Sequence, residues 1–150
     1  MRSLHVEPLE DRRLLAIGTF DFDLVTSNAP EEISPHAVQV NLMTDMPLGA
    51  GDMMSVEVTV TGGDASPGAD YTFITTTVTF TGDGATSSFT DTVDLTIDND
   101  TLIEAEQTIV LSLQNEAATA GGDTAQVGLT SIHTASIVDN ASANVSIVDG

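Results

Sequence analysis

Apolar and polar residues alternate along most of the chain after residue 17. In one such stretch, Val56, Val58 and Val60 alternate with Glu57 and Thr59. The other alternating sets are Val78 and Phe80, then Val93, Leu95 and Ile97, then Ile109, Leu111 and Leu113. A two-residue period is that of a β-strand with one buried and one solvated face. No segment has a convincing apolar period of 3.6 residues, and only 114–120 could form a helical turn.

Turn-forming residues separate these strand-like runs. Gly, Pro and Asp cluster at 45–52, 61–70, 81–85 and 120–123, and such clusters are typical of turns. The predicted strands lie near 19–26, 37–43, 54–61, 72–80, 86–97, 107–114 and 124–138. About seven short strands joined in this way predict an all-β chain folded as an antiparallel β-sandwich.

One position interrupts the alternation. Asp91 lies between Phe89 and Val93, where the pattern calls for an apolar residue. A carboxylate on the apolar face indicates either a β-bulge at this point or a face that is only partly covered.

The distribution of charge narrows the classes of partner. Of 23 acidic residues, three lie in the first thirteen positions with all three arginines, which leaves twenty acids and no Lys or Arg from residue 14 onward. Binding to nucleic acid or anionic lipid through phosphates requires cations that this body lacks. We therefore expect cations as partners. The alternative is that the charge serves solubility alone.

The first residues form a separate tail in this interpretation. The stretch VEPLEDRRLLA at 6–16 resembles the V-E-x-L-E-x-R-x-L-L signature near the start of many exported proteins of planctomycete bacteria. The resemblance implies export to the cell surface or beyond, whereas the alternative is an amphipathic tail without special meaning. We divide the chain into a tail at 1–17, a sandwich at 18–140 and an extension at 141–150, where VSIVDG repeats the pattern of ASIVDN at 135–140.

Alternating strand directions place several acidic loops at one pole of the sandwich. The segments at 31–36, 62–71 and 98–106 and the end of the last strand are expected at the same pole. The acids expected there are Glu31, Glu32, Asp64, Asp70, Asp98, Asp100, Glu104, Glu106 and Asp139. Ca²⁺ takes six to eight oxygen ligands and tolerates irregular geometry, so we expect a calcium site at this pole. Solvated loop acids without an ion are the alternative.

Ordered motifs over about 110 residues carry a second resemblance. They are a G-x-D-Y segment at Gly68, Asp70 and Tyr71, a turn at Thr77, Phe80 and Gly82, an I-x-D-D-x-x-x-E run from 97 to 113, and a closing A-x-I-x-D at Ala135, Ile137 and Asp139. The chain resembles Calx-beta domains, which occur in sodium/calcium exchangers, an integrin β chain and bacterial surface proteins. The resemblance implies an immunoglobulin-like β-sandwich that in some members binds Ca²⁺ at one pole.

The resemblance also assigns ligands by position. The expected metal ligands are Glu32, Asp70, Asn99, Asp100, Glu104, Gln107 and Asp139, with Glu31 as the alternative to Glu32. Asn99 and Gln107 stand where the family has carboxylates. An amide offers a carbonyl oxygen but no charge, so we expect a weak site with a Kd of about 0.1 to 1 mM, the range of extracellular modules.

Catalysis is not expected from this composition. The chain has three histidines, no Cys and no Trp, so it lacks a thiol nucleophile and the aromatic lining common in sugar clefts. The leading prediction is a non-enzymatic, secreted or cell-surface module that binds calcium weakly and serves structure or adhesion. Its partners would be calcium ions and other surface proteins or matrix, without nucleic acid or membrane insertion. The alternative is a purely structural acidic β-sandwich without a bound ion.

Overall fold

The computed structural model describes residues 15–119 and 121–142 of the chain. The strands are β1 (Ile17–Phe22), β2 (Thr26–Pro30), β3 (His36–Thr44), β4 (Met53–Gly63), β5 (Tyr71–Thr72), β6 (Thr76–Thr81), β7 (Ser88–Ile97), β8 (Gln107–Ala118), β9 (Thr124–Val127) and β10 (Ile132–Val138). Within these ranges there is no helix suited to crossing a membrane. The repeated VSIVDG and most of the predicted tail lie outside the described residues.

The strands form two five-stranded sheets, as the alternation predicts. The first sheet has the order β5-β7-β3-β1-β9 and the second has the order β2-β10-β8-β4-β6. All pairs are antiparallel except β1 with β9 and β2 with β10, which run parallel. The all-β sandwich is confirmed, and the antiparallel description holds for every pair but these two.

Three of the seven predicted strands are each divided between the two sheets. The run predicted at 19–26 becomes β1 and β2, the run at 72–80 becomes β5 and β6, and the run at 124–138 becomes β9 and β10. The two strands of each pair are separated by three or four residues, which carry the chain from one sheet to the other. The alternation has the same period on both sides of such a crossover, so the sequence pattern alone does not reveal it.

The core lies between the inward faces of both sheets. Phe20 and Leu42 of the first sheet meet Met54 and Leu111 of the second, and all four side chains are fully buried. Three Phe rings extend this contact, with Phe80 6.2 Å from Phe20 and 5.9 Å from Phe89 between ring centroids. Burial of these side chains is the main favourable contribution to folding.

The structure decides between the two alternatives at Asp91, and one other local prediction is wrong. The pairing of β3 with β7 continues without a register shift through Asp91, which lies opposite Val40 and is exposed. Asp91 therefore marks a partly covered face and not a bulge. The described part of the segment predicted at 114–120 is not helical, because β8 extends to Ala118. The register between β4 and β8 shifts near Asn115, whose φ is 54°, so the irregular sequence there encodes a β-bulge.

The turn between β6 and β7 is fixed by Asp83. Its carboxylate accepts hydrogen bonds from the Ala85 backbone N–H (2.8 Å), the Thr86 backbone N–H (2.7 Å) and the Thr86 hydroxyl (2.6 Å). The Thr86 hydroxyl and these backbone amides lower the pKa of Asp83 from its ordinary value of 3.8 to about 2. A carboxylate stabilised in this way favours the folded state above its ordinary pKa.

We expect Asp83→Asn to lower the thermal unfolding temperature at neutral pH, because the amide is a weaker acceptor for these donors. The stability that Asp83 supplies is present above pH 3.8 and is lost as the pH falls toward 2. The difference between variant and wild type should therefore shrink over that window in a pH series of thermal melts. Asp94→Asn removes one negative charge from an exposed position of β7 and is the control. Equal shifts from both variants would show that the effect comes from the change in net charge and not from the hydrogen bonds of Asp83.

Candidate functional site

The acidic pole is assembled by strand ends that meet at one edge of the two sheets. Strands β2 and β10 pair in parallel with Pro30 opposite Val138, so Glu31 and Asp139 leave the sheet side by side. The backbone N–H of Glu31 donates to the Val138 carbonyl at 3.2 Å. On the other sheet, the Asp98 N–H donates to the Asp70 carbonyl at 2.9 Å, which joins the loop before β5 to the loop after β7.

The segment between β7 and β8 reaches across to the end of β10. The backbone N–H of Glu104 donates to Asp139 Oδ2 at 2.9 Å, and the Gln107 side-chain amide donates to Glu104 Oε2 at 3.2 Å. The other oxygen of Asp139 accepts from the Ala141 N–H at 2.6 Å. These contacts place carboxylates from three separate parts of the chain in one cluster.

Glu31 is the most enclosed member of this acidic pole. Only 5% of its surface is exposed, and no described residue forms a hydrogen bond with its Oε2 atom. Burial raises the pKa of Glu31, the charges of Asp139, Asp100 and Glu104 raise it further, and a backbone hydrogen bond from Asn140 opposes them. Burial and the neighbouring negative charges therefore act in the same direction on this carboxyl group.

Glu104 is also affected by the negative charges of this pole. Removal from water raises its pKa, followed by the charges of Asp70, Asp100 and Asp139. No Lys or Arg is present from residue 14 onward to neutralise the group. Such like-charge contacts favour either a bound proton or a bound cation.

The donor atoms at this pole suit a hard cation. Two buried oxygens have no hydrogen-bond partner among the residues that the structure describes, namely Glu31 Oε2 and Gln107 Oε1. An unpaired buried acceptor is unfavourable unless a cation or a water reaches it. Nevertheless, in the ranges 15–119 and 121–142 no three Asp, Glu or His side chains stand close enough to hold a metal ion. The chemistry fits Ca²⁺, and the carboxylates would have to approach one another to coordinate it.

The structure brings most of the sequence-predicted ligands together. Asp70, Asp100, Glu104 and Asp139 all act on one another or on Glu31, and Gln107 contacts Glu104. Of the two adjacent glutamates, Glu31 is buried within the cluster, whereas Glu32 is exposed. The geometry therefore favours Glu31 over Glu32. Asn99 is also exposed, and nothing in these contacts assigns it a role.

Two further acids of the pole serve other purposes or stay solvated. Asp64 Oδ1 accepts from the Thr108 backbone N–H at 2.6 Å and from its hydroxyl at 2.7 Å. The Thr108 hydroxyl and then its backbone amide lower the pKa of Asp64, so this carboxylate fixes the end of β4 to the start of β8. Glu106 is exposed. Sequence reasoning could not separate these roles, since both residues sit in acidic loops of similar composition.

The arrangement of the sheets agrees with solved structures. The apo form of the Calx CBD1 domain superposes with a TM-score of 0.63 at 17% sequence identity, covering 82% of this chain and 97% of that domain. The Calx CBD2 domain gives a TM-score of 0.63 at 11% identity, covering 81% of this chain and 86% of that domain. The chain has a Calx-beta-like fold.

A longer solved structure matches in the same way. The calcium binding domain CBD12 of CALX1.1 superposes with a TM-score of 0.60 at 18% identity, where the match covers 80% of this chain and 44% of that one. No protein-family model and no curated protein sequence matches the chain. At these identities the likeness concerns the Calx-beta-like fold and not the activity of the relatives.

Proposed function

We propose that the chain is a non-catalytic Calx-beta-like module that binds Ca²⁺ weakly at its acidic pole. The observation that carries this proposal is Glu31, a buried carboxylate among three other carboxylates, whose Oε2 has no hydrogen-bond partner and no Lys or Arg beside it in the described residues. A cation would satisfy Glu31 Oε2 and offset the mutual repulsion of the cluster.

The residues that would hold the ion are oxygen donors from separate loops. They are Glu31, Asp70, Asp100, Glu104, Gln107 and Asp139. Carboxylate and amide oxygens are the ligands of Ca²⁺, while thiolate and imidazole ligands favour transition metals. Gln107 supplies an oxygen without charge, and the carboxylates must approach one another on binding. Both features support a Kd of about 0.1 to 1 mM.

An exported, structural or adhesive role is part of the same proposal. A site of this affinity fills only where calcium is abundant, as outside cells. The resemblance of residues 6–16 to an export signature points the same way, as does a formal net charge of -20, which disfavours nucleic acid and phosphate-rich surfaces. A purely structural sandwich without an ion is the second candidate. It is favoured by the spacing of the acidic side chains, since no three of them in the described residues stand close enough to hold a metal ion.

Thermal unfolding of the full chain distinguishes the two candidates. We expect about 10 mM CaCl₂ to stabilise the chain by about 1.4 kcal/mol if Kd is near 1 mM, which raises the unfolding temperature by about 3 to 6 °C for a chain of this size. MgCl₂ at matched ionic strength should reproduce only the screening part, because Mg²⁺ requires a tighter octahedral site.

Two variants assign the effect to the pole. Glu104→Gln should remove the calcium-specific part of the shift while it keeps the size of the side chain. Glu31→Gln should raise the unfolding temperature in EDTA, since it removes a charge that burial and Asp139 disfavour, and it should also weaken the response to calcium. Asp94→Asn lies on the exposed face of β7 and should behave like wild type. If Ca²⁺ and Mg²⁺ shift the unfolding temperature equally in all variants, the result would support the purely structural candidate instead.

A further inference from the structure

A second polar cluster lies away from the acidic pole and connects the two sheets. The Ser27 hydroxyl on β2 is 2.8 Å from His36 Nε2 on β3 and 2.8 Å from His133 Nε2 on β10. Strands β2 and β10 belong to one sheet and β3 to the other. We refer to Ser27, His36 and His133 as the histidine cluster.

The Leu24 carbonyl fixes one proton of the histidine cluster. His133 Nδ1 is 2.7 Å from that carbonyl oxygen, which can only accept, so Nδ1 carries a proton. When His133 is neutral, its Nε2 is unprotonated and the Ser27 hydroxyl donates to it. With its own proton used, Ser27 Oγ then accepts from His36 Nε2–H. In this state every hydrogen bond of the cluster forms without a charge between the sheets.

The surroundings favour a neutral His36. His133 is 2% exposed and its ring centroid lies 5.5 Å from that of Phe22. Burial lowers the pKa of His36, and the proximity of His133 lowers it further. A cavity of about 210 Å³ lies beside the cluster and is lined by Ser27, His133 and Asp23.

Strands β2, β3 and β10 carry no titratable side chain besides the two histidines. Carboxylates lie on the elements that adjoin these strands, namely Asp21 on β1, Asp23 on the crossover, Glu31 and Glu32 before β3, Asp91 and Asp94 on β7, and Glu116 on β8. These carboxylates would favour an imidazolium, so the opposing effects of burial and of the second imidazole decide the direction for His36.

Protonation of both imidazoles is unfavourable in this arrangement. One added proton is accommodated, because His133 Nε2–H can donate to Ser27 Oγ while the Ser27 hydroxyl donates to His36 Nε2 in its other tautomer. A second added proton would place positive charges on β3 and β10, on either side of one oxygen. Their repulsion acts between the two sheets and opposes the contacts through Ser27.

The histidine cluster also brackets the segment that bears Glu31. Ser27 and His36 lie on either side of residues 28–35, and their hydrogen bond closes the base of that segment. Near its other end, the Ser34 hydroxyl accepts from the Ile97 N–H at 3.0 Å. The position of Glu31 at the acidic pole therefore depends on strands that the histidine cluster ties together.

We propose that the histidine cluster is a proton-sensitive tie between the sheets, which opens in mildly acidic solution and thereby weakens calcium binding at Glu31. The calcium part rests on the proposed function above, whereas the opening of the tie does not. The stability that a neutral, pKa-lowered His36 supplies is present above the unfolded-state value of 6.5 and is lost as the pH falls below it.

Urea unfolding of the full chain in EDTA, between about pH 5 and pH 8, tests the tie itself. Relative to wild type, His36→Gln and Ser27→Ala should be least stable near pH 8. Their deficit should shrink by up to about tenfold per pH unit in the folding equilibrium constant below pH 6.5. Ser27→Thr keeps the hydroxyl and should retain the wild-type pH dependence. His5→Gln, which changes the third histidine of the chain, is the control. Parallel pH curves for wild type, His36→Gln and Ser27→Ala would overturn the proposal.

Calcium titrations of the same proteins test the link to the acidic pole. For wild type, Kd should rise several-fold more between about pH 7.5 and pH 5.5 than for His36→Gln, since the carboxylates contribute equally in both. If stability in EDTA shows the predicted pH dependence but no protein binds calcium, the proposed function and the link to it would be contradicted. The proposed effect of protons on the histidine cluster would still be supported. Calcium binding with equal pH dependence in both proteins would overturn the link alone.

Discussion

Replacing Gly63 with alanine is expected to lower the free energy of unfolding by about 3 kcal/mol or more. Gly63 ends β4 with a φ of 110°, a conformation that L side chains rarely adopt. A Cβ atom there would lie 2.2 Å from the Thr108 carbonyl oxygen and 2.9 Å from Ile109 Cα. Since both are backbone atoms of β8, the clash can be relieved only by separating the two strands. Chemical denaturation at equilibrium measures the loss.

The neighbouring glycine provides a matched control. A Cβ atom on Gly62 would meet Val110 Cβ at 3.8 Å, an ordinary contact, so Gly62→Ala should change stability little. Gly63→Ala should also reduce calcium binding, because the Asp64 and Ala65 N–H groups both donate to Thr108 O and start the loop toward Asp70. Equal stability of the two variants would show that the junction of β4 and β8 is not as close as described.

Truncation of Phe20 to alanine should cost about 3 to 5 kcal/mol. The ring is fully buried between the two sheets and packs against Phe80. Its loss removes both the transfer free energy of the side chain and its packing, and leaves a cavity that β1 and β3 cannot readily close. Thermal and urea unfolding should agree on the size of the effect.

Phe89 serves as the comparison for this truncation. It is partly exposed and packs on the edge of the same ring group, 5.9 Å from Phe80. Phe89→Ala removes the same atoms and should cost clearly less, since part of the ring is already exposed to water. A larger loss at Phe89 than at Phe20 would place the centre of the core nearer to β7.

The sandwich itself was predictable because two-residue alternation reports burial directly. Sets such as Ile109, Leu111 and Leu113 face one core, and their strand β8 is central in its sheet. The crossovers were not predictable from the same signal. The buried positions change from even in β1 (Phe20, Phe22) to odd in β2 (Ala29), and an irregularity within one strand would give the same change of phase. Strands β1 and β2 nevertheless lie in different sheets. The parallel pairs β1–β9 and β2–β10 form between distant parts of the chain, and no local sequence pattern predicts them.

The acidic pole was predictable in outline because loops of an antiparallel sandwich alternate between its ends. Choosing Glu31 over Glu32 required the register of β2 on β10, which sets which glutamate turns inward. The role of Asp64 likewise depends on its distance to Thr108 in another strand. Ser27 and His133 of the histidine cluster lie more than a hundred positions apart in the sequence. No sequence feature near Ser27 predicts their contact.

Equilibrium calcium binding by the full chain tests the central claim most directly. We would measure uptake by isothermal titration at physiological ionic strength with excess Mg²⁺, for wild type and for Glu104→Gln. The proposal predicts saturable binding with a Kd of about 0.1 to 1 mM for wild type, and at least a tenfold weaker Kd for the variant. Uptake that does not saturate, or that is equal in the two proteins, would contradict a calcium site at this pole.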